Sequence, residues 1–155
     1  IVRRLVGSEM CIRDSMSGTT FISKLIEGKF PDYEQVIPSG ESSLLVIDRK
    51  IFSNSLSRVS VLSSEKYKGV RILTNSNSIN ISANNPEKEQ GEENIECDYK
   101  GQEIDIAFNV NYLQEILSTI DSEKIEINFF GSEKSCLITD PNSDDLKYVV
   151  MPLLI

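Results

Sequence analysis

Ser63 and Lys66 stand in the stretch Ser63-Ser64-Glu65-Lys66, the S-x-x-K spacing that puts a hydroxyl one helical turn from an amine. Such a pair could act as nucleophile and base in acyl transfer. That chemistry also needs a helix that starts at the serine and a K-T-G partner segment. The sequence has no K-T-G, and the apolar period before Ser63 puts it at a helix end. Four-residue patterns of common residues recur by chance, so a hydrolase using Ser63 and Lys66 is the weakest of three readings. Asp140, Asp144 and Asp145 in "DPNSDD" offer carboxylates, but the stretch lacks the glycine at the sixth and the glutamate at the twelfth place of a calcium loop. They read as a solvated turn. The chain has no histidine, the usual neutral-pH base and commonest metal ligand, and no phosphate-cradling glycine loop. Cys11, Cys97 and Cys136 are far apart, without a C-x-x-C pair, which gives neither a disulfide framework nor a thiolate metal site and fits a reducing cytoplasm. No catalytic residue, metal or cofactor is expected.

If not chemistry, then binding. The 155 residues carry a formal net charge of −8, which argues against simple electrostatic capture of nucleic acid. The charge is unevenly spread, however. Residues 47–71 hold six basic side chains (Arg49, Lys50, Arg58, Lys66, Lys68, Arg71) against two acidic ones. Residues 86–105 hold eight acidic side chains against two basic ones. A second unusual feature is "FPDYEQVIP", residues 30–38, where two prolines bracket a half-apolar segment and hold it extended. It is too apolar for a flexible tether, so it either packs on a neighbouring domain or lines a groove.

The elements that position these features follow from periodicity. Residues 1–15, "IVRRLVGSEMCIRDS", show no strand or helix period and read as a foreign leader. Ile51, Phe52, Leu56, Val59 and Leu62 recur at helical spacing, predicting a helix from an Asp48 N-cap to about Ser63. "VRILT" and "SINISAN" alternate about an "NSNS" turn and predict a hairpin. Strands at about 93–99 and 104–108 are expected to flank the turn "YKGQE". Asn109 is placed to cap a second helix whose Val110, Leu113, Ile116, Leu117 and Ile120 form one apolar face. Strands "KIEINFF", "SCLITD" and "LKYVVMPLLI" close the chain. The order predicts an α+β domain with both helices on one face of an antiparallel sheet. No run of 18 apolar residues is present, so no membrane-spanning helix is expected.

Five ordered blocks, "KLIEGKFPDYEQVIP", "LSSEKYKGVRI", "ISANNPEKEQGEE", "IAFNVNYLQEIL" and "YVVMPLLI", together resemble the C-terminal third of the bacterial DNA polymerase III beta subunit, the sliding-clamp family. The similarity runs from about Thr19 to Ile155. It implies the DNA-clamp fold, two helices packed on a curved antiparallel sheet. Residues 16–37 would be the end of a second clamp domain and its connector, and 38–155 a complete third domain. The family is not enzymatic: head-to-tail homodimers close a ring around duplex DNA, without reading bases, as the processivity factor of the replicative polymerase. Bacterial cytoplasm and association with the nucleoid would follow.

The resemblance also implies three sets of residues. Arg49, Lys50 and Arg58 would face DNA. Val61 and Leu62, with Glu87, Glu89, Glu92 and Glu93, would meet the partner protomer. Pro31, Val36, Asn109, Tyr112, Ser135, Val149, Met151, Pro152 and Leu153 would form a cleft for short peptide motifs of replicative and translesion polymerases, the clamp loader and mismatch-repair proteins. Gln35 and Leu154 stand where the family often has basic residues, which reduces electrostatic help in that cleft. The remaining reading is a stand-alone α+β domain that binds a peptide and never touches DNA.

Overall fold

The computed structural model describes residues 11–16, 19–24 and 36–153. The chain divides into two units, Ile1–Tyr33 and Glu34–Ile155. In the first, strand β1 (Cys11–Met16) pairs antiparallel with β2 (Thr19–Lys24), Ile12 opposite Ser23 and Asp14 opposite Phe21. The sequence reading expected no element before residue 16. A strand needs only backbone partners, and β2 supplies them without an apolar period on β1.

The second unit is α+β. Its strands and helices run β3 (Ser43–Asp48), α1 (Arg49–Ser60), β4 (Gly69–Asn75), β5 (Ser78–Asn84), β6 (Gln90–Glu96), β7 (Asp98–Tyr99), β8 (Asp105–Asn109), α2 (Val110–Thr119), β9 (Lys124–Phe129), β10 (Cys136–Asp140) and β11 (Ser143–Val150). The strands form two antiparallel sheets instead of the single one expected, in the orders β11-β10-β9-β3-β7 and β6-β5-β4-β8. Both helices keep the expected caps. Asp48 accepts from Ile51 N at 2.9 Å, and the Asn109 side chain accepts from Asn111 N at 3.0 Å. Phe52, Leu56 and Val59 of α1, with Val110, Leu113 and Leu117 of α2, are buried in one cluster with residues from both sheets. Burying a side chain of this kind contributes about 1.5–3 kcal/mol, so these two stripes anchor the helices.

Three further expectations are corrected. β3 lies just before the Asp48 cap, in the run "LLVID" where no strand is expected from periodicity; Leu45 and Ile47 alternate into the core, but a short apolar run does not distinguish strand from helix. The strands around "YKGQE" do not pair with each other. β6 pairs with β5 and β8 with β4, whereas β7 crosses to the other sheet and pairs with β3 through Leu45–Tyr99 and Val46–Asp98. Tyr99 is buried, and that burial draws β7 away from the hairpin. The last strand stops at Val150, and the tail beyond it bonds elsewhere: Leu153 N donates to Ala107 O at 2.8 Å, against β8. The β4–β5 hairpin forms as expected, with Asn77 at φ 63 in its turn, a left-handed conformation that asparagine tolerates.

Candidate functional site

Helix α2 and the end of β11 leave a groove of about 570 Å³ between them, within the range of small-ligand and peptide pockets. Its walls are Tyr112, Glu115, Ile116 and Thr119 on the helix and residues 147–151 on the strand and tail. Tyr112 and Met151 are exposed, at 59% and 68%, although both are large and apolar in body. Large apolar side chains left open beside a concavity are the usual mark of a recognition surface. Methionine adds shape tolerance, because its unbranched thioether repacks around different occupants.

Of the nine cleft residues expected from sequence, the structure brings Tyr112, Val149 and Met151 together in this groove. Asn109 caps α2, and Leu153 is tied to β8. Pro152, Ser135 and Leu153 are half-buried and Val36 is 48% exposed, and none of the four is part of the groove wall. Pro31 lies outside the described residues. Glu115, Ile116, Thr119, Lys147 and Tyr148 also line it and are not among the nine. Glu115, Ile116 and Thr119 follow Tyr112 at three, four and seven residues, a helical spacing that could have found them. A larger concavity of about 1160 Å³ lies among residues 41–46, 98–105 and 129–132. It is lined as much by polar as by apolar surface and holds none of the residues singled out from sequence, so the smaller groove is the better candidate.

The charged residues singled out from sequence divide between those bonded within the chain and those left open. In β6, Glu93 sits opposite Ile81 and on the same face as buried Ile95, so its carboxylate points to the helix side of the sheet. There Arg58 of α1 holds it side-on through one guanidinium edge, Nε at 3.1 Å and Nη2 on the other oxygen, and Nη2 also donates to Ser55 Oγ at 3.1 Å. One residue expected at the DNA and one expected at the protomer interface thus bond each other. Arg49 donates to Leu117 O and Ser122 O, whereas Lys50 is exposed. Val61 is 79% exposed and Leu62 half-buried against Gly91. Glu89 folds back on Asn85, accepting from its amide at 2.7 Å, while Glu87 and Glu92 are exposed.

The hydrogen bond from Arg58 holds the Glu93 carboxyl below its usual range, and Arg71 does the same to Asp105. A depressed folded-state value stabilises the fold above the unfolded carboxylate range, and that stability is lost as pH falls through the folded-state values. Both pairs are largely solvated, so salt screens them. The double variant Glu93→Gln, Asp105→Asn should therefore flatten the acid side of a stability-against-pH curve measured by urea unfolding. An unchanged acid slope would show that these pairs do not contribute.

The Ser63 and Lys66 reading gains no support. Ser63 is buried with its hydroxyl donated to Ser60 O at 2.7 Å, and Lys66 Nζ sits 5.0 Å over the Tyr67 ring. Burial raises the Cys97 thiol to about 11 and the Cys136 thiol to about 12, so both stay protonated and unreactive near neutrality. No group of three or more His, Cys, Asp or Glu side chains suited to a metal occurs among the described residues. No helix among them is long and apolar enough to cross a membrane.

Residues 34–154 match the family model described as DNA polymerase III beta subunit, C-terminal domain. The chain belongs to the sliding-clamp family. A beta sliding clamp of Pseudomonas putida is 43% identical over 142 residues, covering 92% of this chain and 39% of that protein. The Escherichia coli clamp is 37% identical over 152 residues, covering 98% and 41%. Among solved structures, the Pseudomonas aeruginosa DNA polymerase III subunit beta aligns with a TM-score of 0.84 at 41% identity, covering 95% of this chain and 40% of that one. The same organism's clamp bound to griselimycin aligns with a TM-score of 0.82 at 41% identity and the same coverage. The chain thus spans about two-fifths of the length of the sliding clamps it matches.

Proposed function

We propose that this chain is the C-terminal portion of a ring-forming sliding clamp, a non-enzymatic processivity factor that encircles duplex DNA and docks polymerases through a hydrophobic groove. The observation that carries the reading is the groove itself: exposed Tyr112 and Met151 face an open concavity in a chain of the clamp family. In this reading residues 1–15 are a non-native leader, 16–37 the end of the second clamp domain and connector, and 38–155 the third domain. Strand β1 crosses the first of these boundaries, because it spans Cys11–Met16. The full ring would be a head-to-tail homodimer whose protomers meet at Val61, Leu62 and the acidic run Glu87, Glu89, Glu92 and Glu93. Duplex DNA, the clamp loader and repair proteins would be its partners, in the cytoplasm and at the nucleoid.

The intrachain pair between Arg58 and Glu93 refines two assignments. It leaves Glu87 and Glu92 as the carboxylates most open to a partner, and Lys50 as the cation of α1 most open to DNA. The stand-alone peptide-binding domain is not favoured, because the matches to sliding clamps cover nearly all of the chain.

A fluorescent pentapeptide of the Gln-Leu-x-Leu-Phe type, titrated against the chain and against Met151→Ala, tests the groove. Saturable binding that weakens about tenfold in the variant is expected, since a central, exposed apolar anchor carries a disproportionate share of such binding. Binding of equal strength to both proteins would place the peptide elsewhere and overturn the assignment.

A further inference from the structure

Two hydrogen-bonded contacts fix the direction in which the groove runs. Tyr148 Oη and Thr119 Oγ1 lie 2.9 Å apart, while Leu153 N bonds Ala107 O, two residues before the cap of α2. Helix and strand therefore run antiparallel along the groove, with Lys147 and Tyr148 beside the last turn of α2 and Met151 toward its first. The chemistry changes along that axis. Tyr112 and Met151 mark an apolar end, and Thr119, Tyr148 and Lys147 a polar one. Among the described residues, Lys147 is the single cation of the groove wall and Glu115 its single carboxylate.

A strand advances about 3.3 Å per residue, so the step from Met151 to Lys147 spans about 13 Å. An extended segment lying beside β11 covers the same distance in four residues. We propose that the groove selects partner segments in which a carboxylate stands four positions from the apolar anchor, so that it pairs with Lys147 when the anchor sits at Tyr112 and Met151. This rests on the docking reading given above. Glu115, one turn along from Tyr112, repels a carboxylate placed only two positions from the anchor, which turns a general taste for acid into a spacing rule. The chain's net charge of −8 offers an acidic segment no long-range attraction, so any preference for acid has to arise locally, at Lys147.

Fluorescence anisotropy on the intact chain tests the rule. The probes are peptides with one apolar core, carrying Glu or Gln four positions away on the N-terminal or the C-terminal side, and a third set with Glu two positions away. In one of the two polarities, Glu at four positions should bind about threefold tighter than Gln, the scale of an exposed ion pair. The gain should shrink at high salt, vanish in Lys147→Gln and persist in Lys66→Gln, outside the groove. If the Gln peptides do not bind at all, the docking reading and the spacing rule fall together. If they bind but Glu brings no gain in either polarity, or the gain survives in Lys147→Gln, the spacing rule alone falls.

Discussion

Gly101→Ala should lower the stability of the fold by about 2–3 kcal/mol, as overpacking against a rigid neighbour does. Gly101 lies in the loop after β7, and a Cβ there would collide with both Cβ and Oγ of Ser43 and sit 2.5 Å from Tyr99 Oη. Ser43 Cβ is fixed by the backbone of β3, which is paired with Phe129 of β9. Tyr99 is buried, and its hydroxyl donates to Gln102 O. Neither neighbour can retreat without loosening the short β3–β7 ladder. Gly91 is the instructive contrast. A Cβ there would meet Leu62 Cδ1 at 2.9 Å, but that atom is the far end of a flexible side chain and can rotate away. Gly91→Ala should therefore cost less than Gly101→Ala. Urea unfolding followed by circular dichroism measures both. Should Gly101→Ala fail to fold, the double variant Gly101→Ala, Ser43→Gly removes the principal obstacle and should recover part of the loss. Equal midpoints for Gly101→Ala and the parent chain would overturn the close approach.

The contrast between the two glycines shows where a sequence stops being readable. The helices were legible because their signals are local: Asp48 and Asn109 sit at the caps, and the apolar stripes recur every three to four residues. The β4–β5 hairpin was legible for the same reason. What was not legible is which strand pairs with which across the molecule. "LLVID" became β3, the strand that joins β9 to β7, and the chain around "YKGQE" changed sheets instead of turning back. Those outcomes depend on burying Leu45, Ile47 and Tyr99 against partners more than fifty residues away, which no local period reports. The groove divides likewise. Tyr112 and Met151 carried a signal through the family resemblance, whereas Lys147 enters only because β11 runs antiparallel to α2. Charge was the least legible of all: Arg49 and Arg58 stand in one basic window, yet Arg49 bonds carbonyls at the end of α2, whereas Arg58 pairs with Glu93 at the surface.

Arg49 makes that last point measurable. Helix α2 ends at Thr119 with no glycine after it and no basic residue in its last turn; the Ser118 and Thr119 hydroxyls donate to the carbonyls of Glu115 and Ile116, and Leu117 O takes its donor from outside the helix. Arg49, the first residue of α1, supplies it. Its Nε and one terminal nitrogen donate to Ser122 O at 2.8 Å and Leu117 O at 3.0 Å, and its backbone N–H donates to Glu123 O at 2.8 Å. A cation at this end also suits the helix dipole. Arg49→Ala removes two charge-assisted bonds and leaves part-buried carbonyls short of donors, which should cost about 2–3 kcal/mol. Arg49→Lys should recover only part, since a single ammonium cannot span both acceptors with the geometry of a planar fork. Lys50→Ala, one residue on and exposed, should stay within about 0.5 kcal/mol of the parent chain. Thermal unfolding of the three variants separates the roles. Equal stability for Arg49→Ala and Lys50→Ala would mean that Arg49 is a surface cation after all, free to face a phosphate backbone. A large loss confined to Arg49 would make it the tie between the two helices and leave Lys50 as the exposed cation at the start of α1.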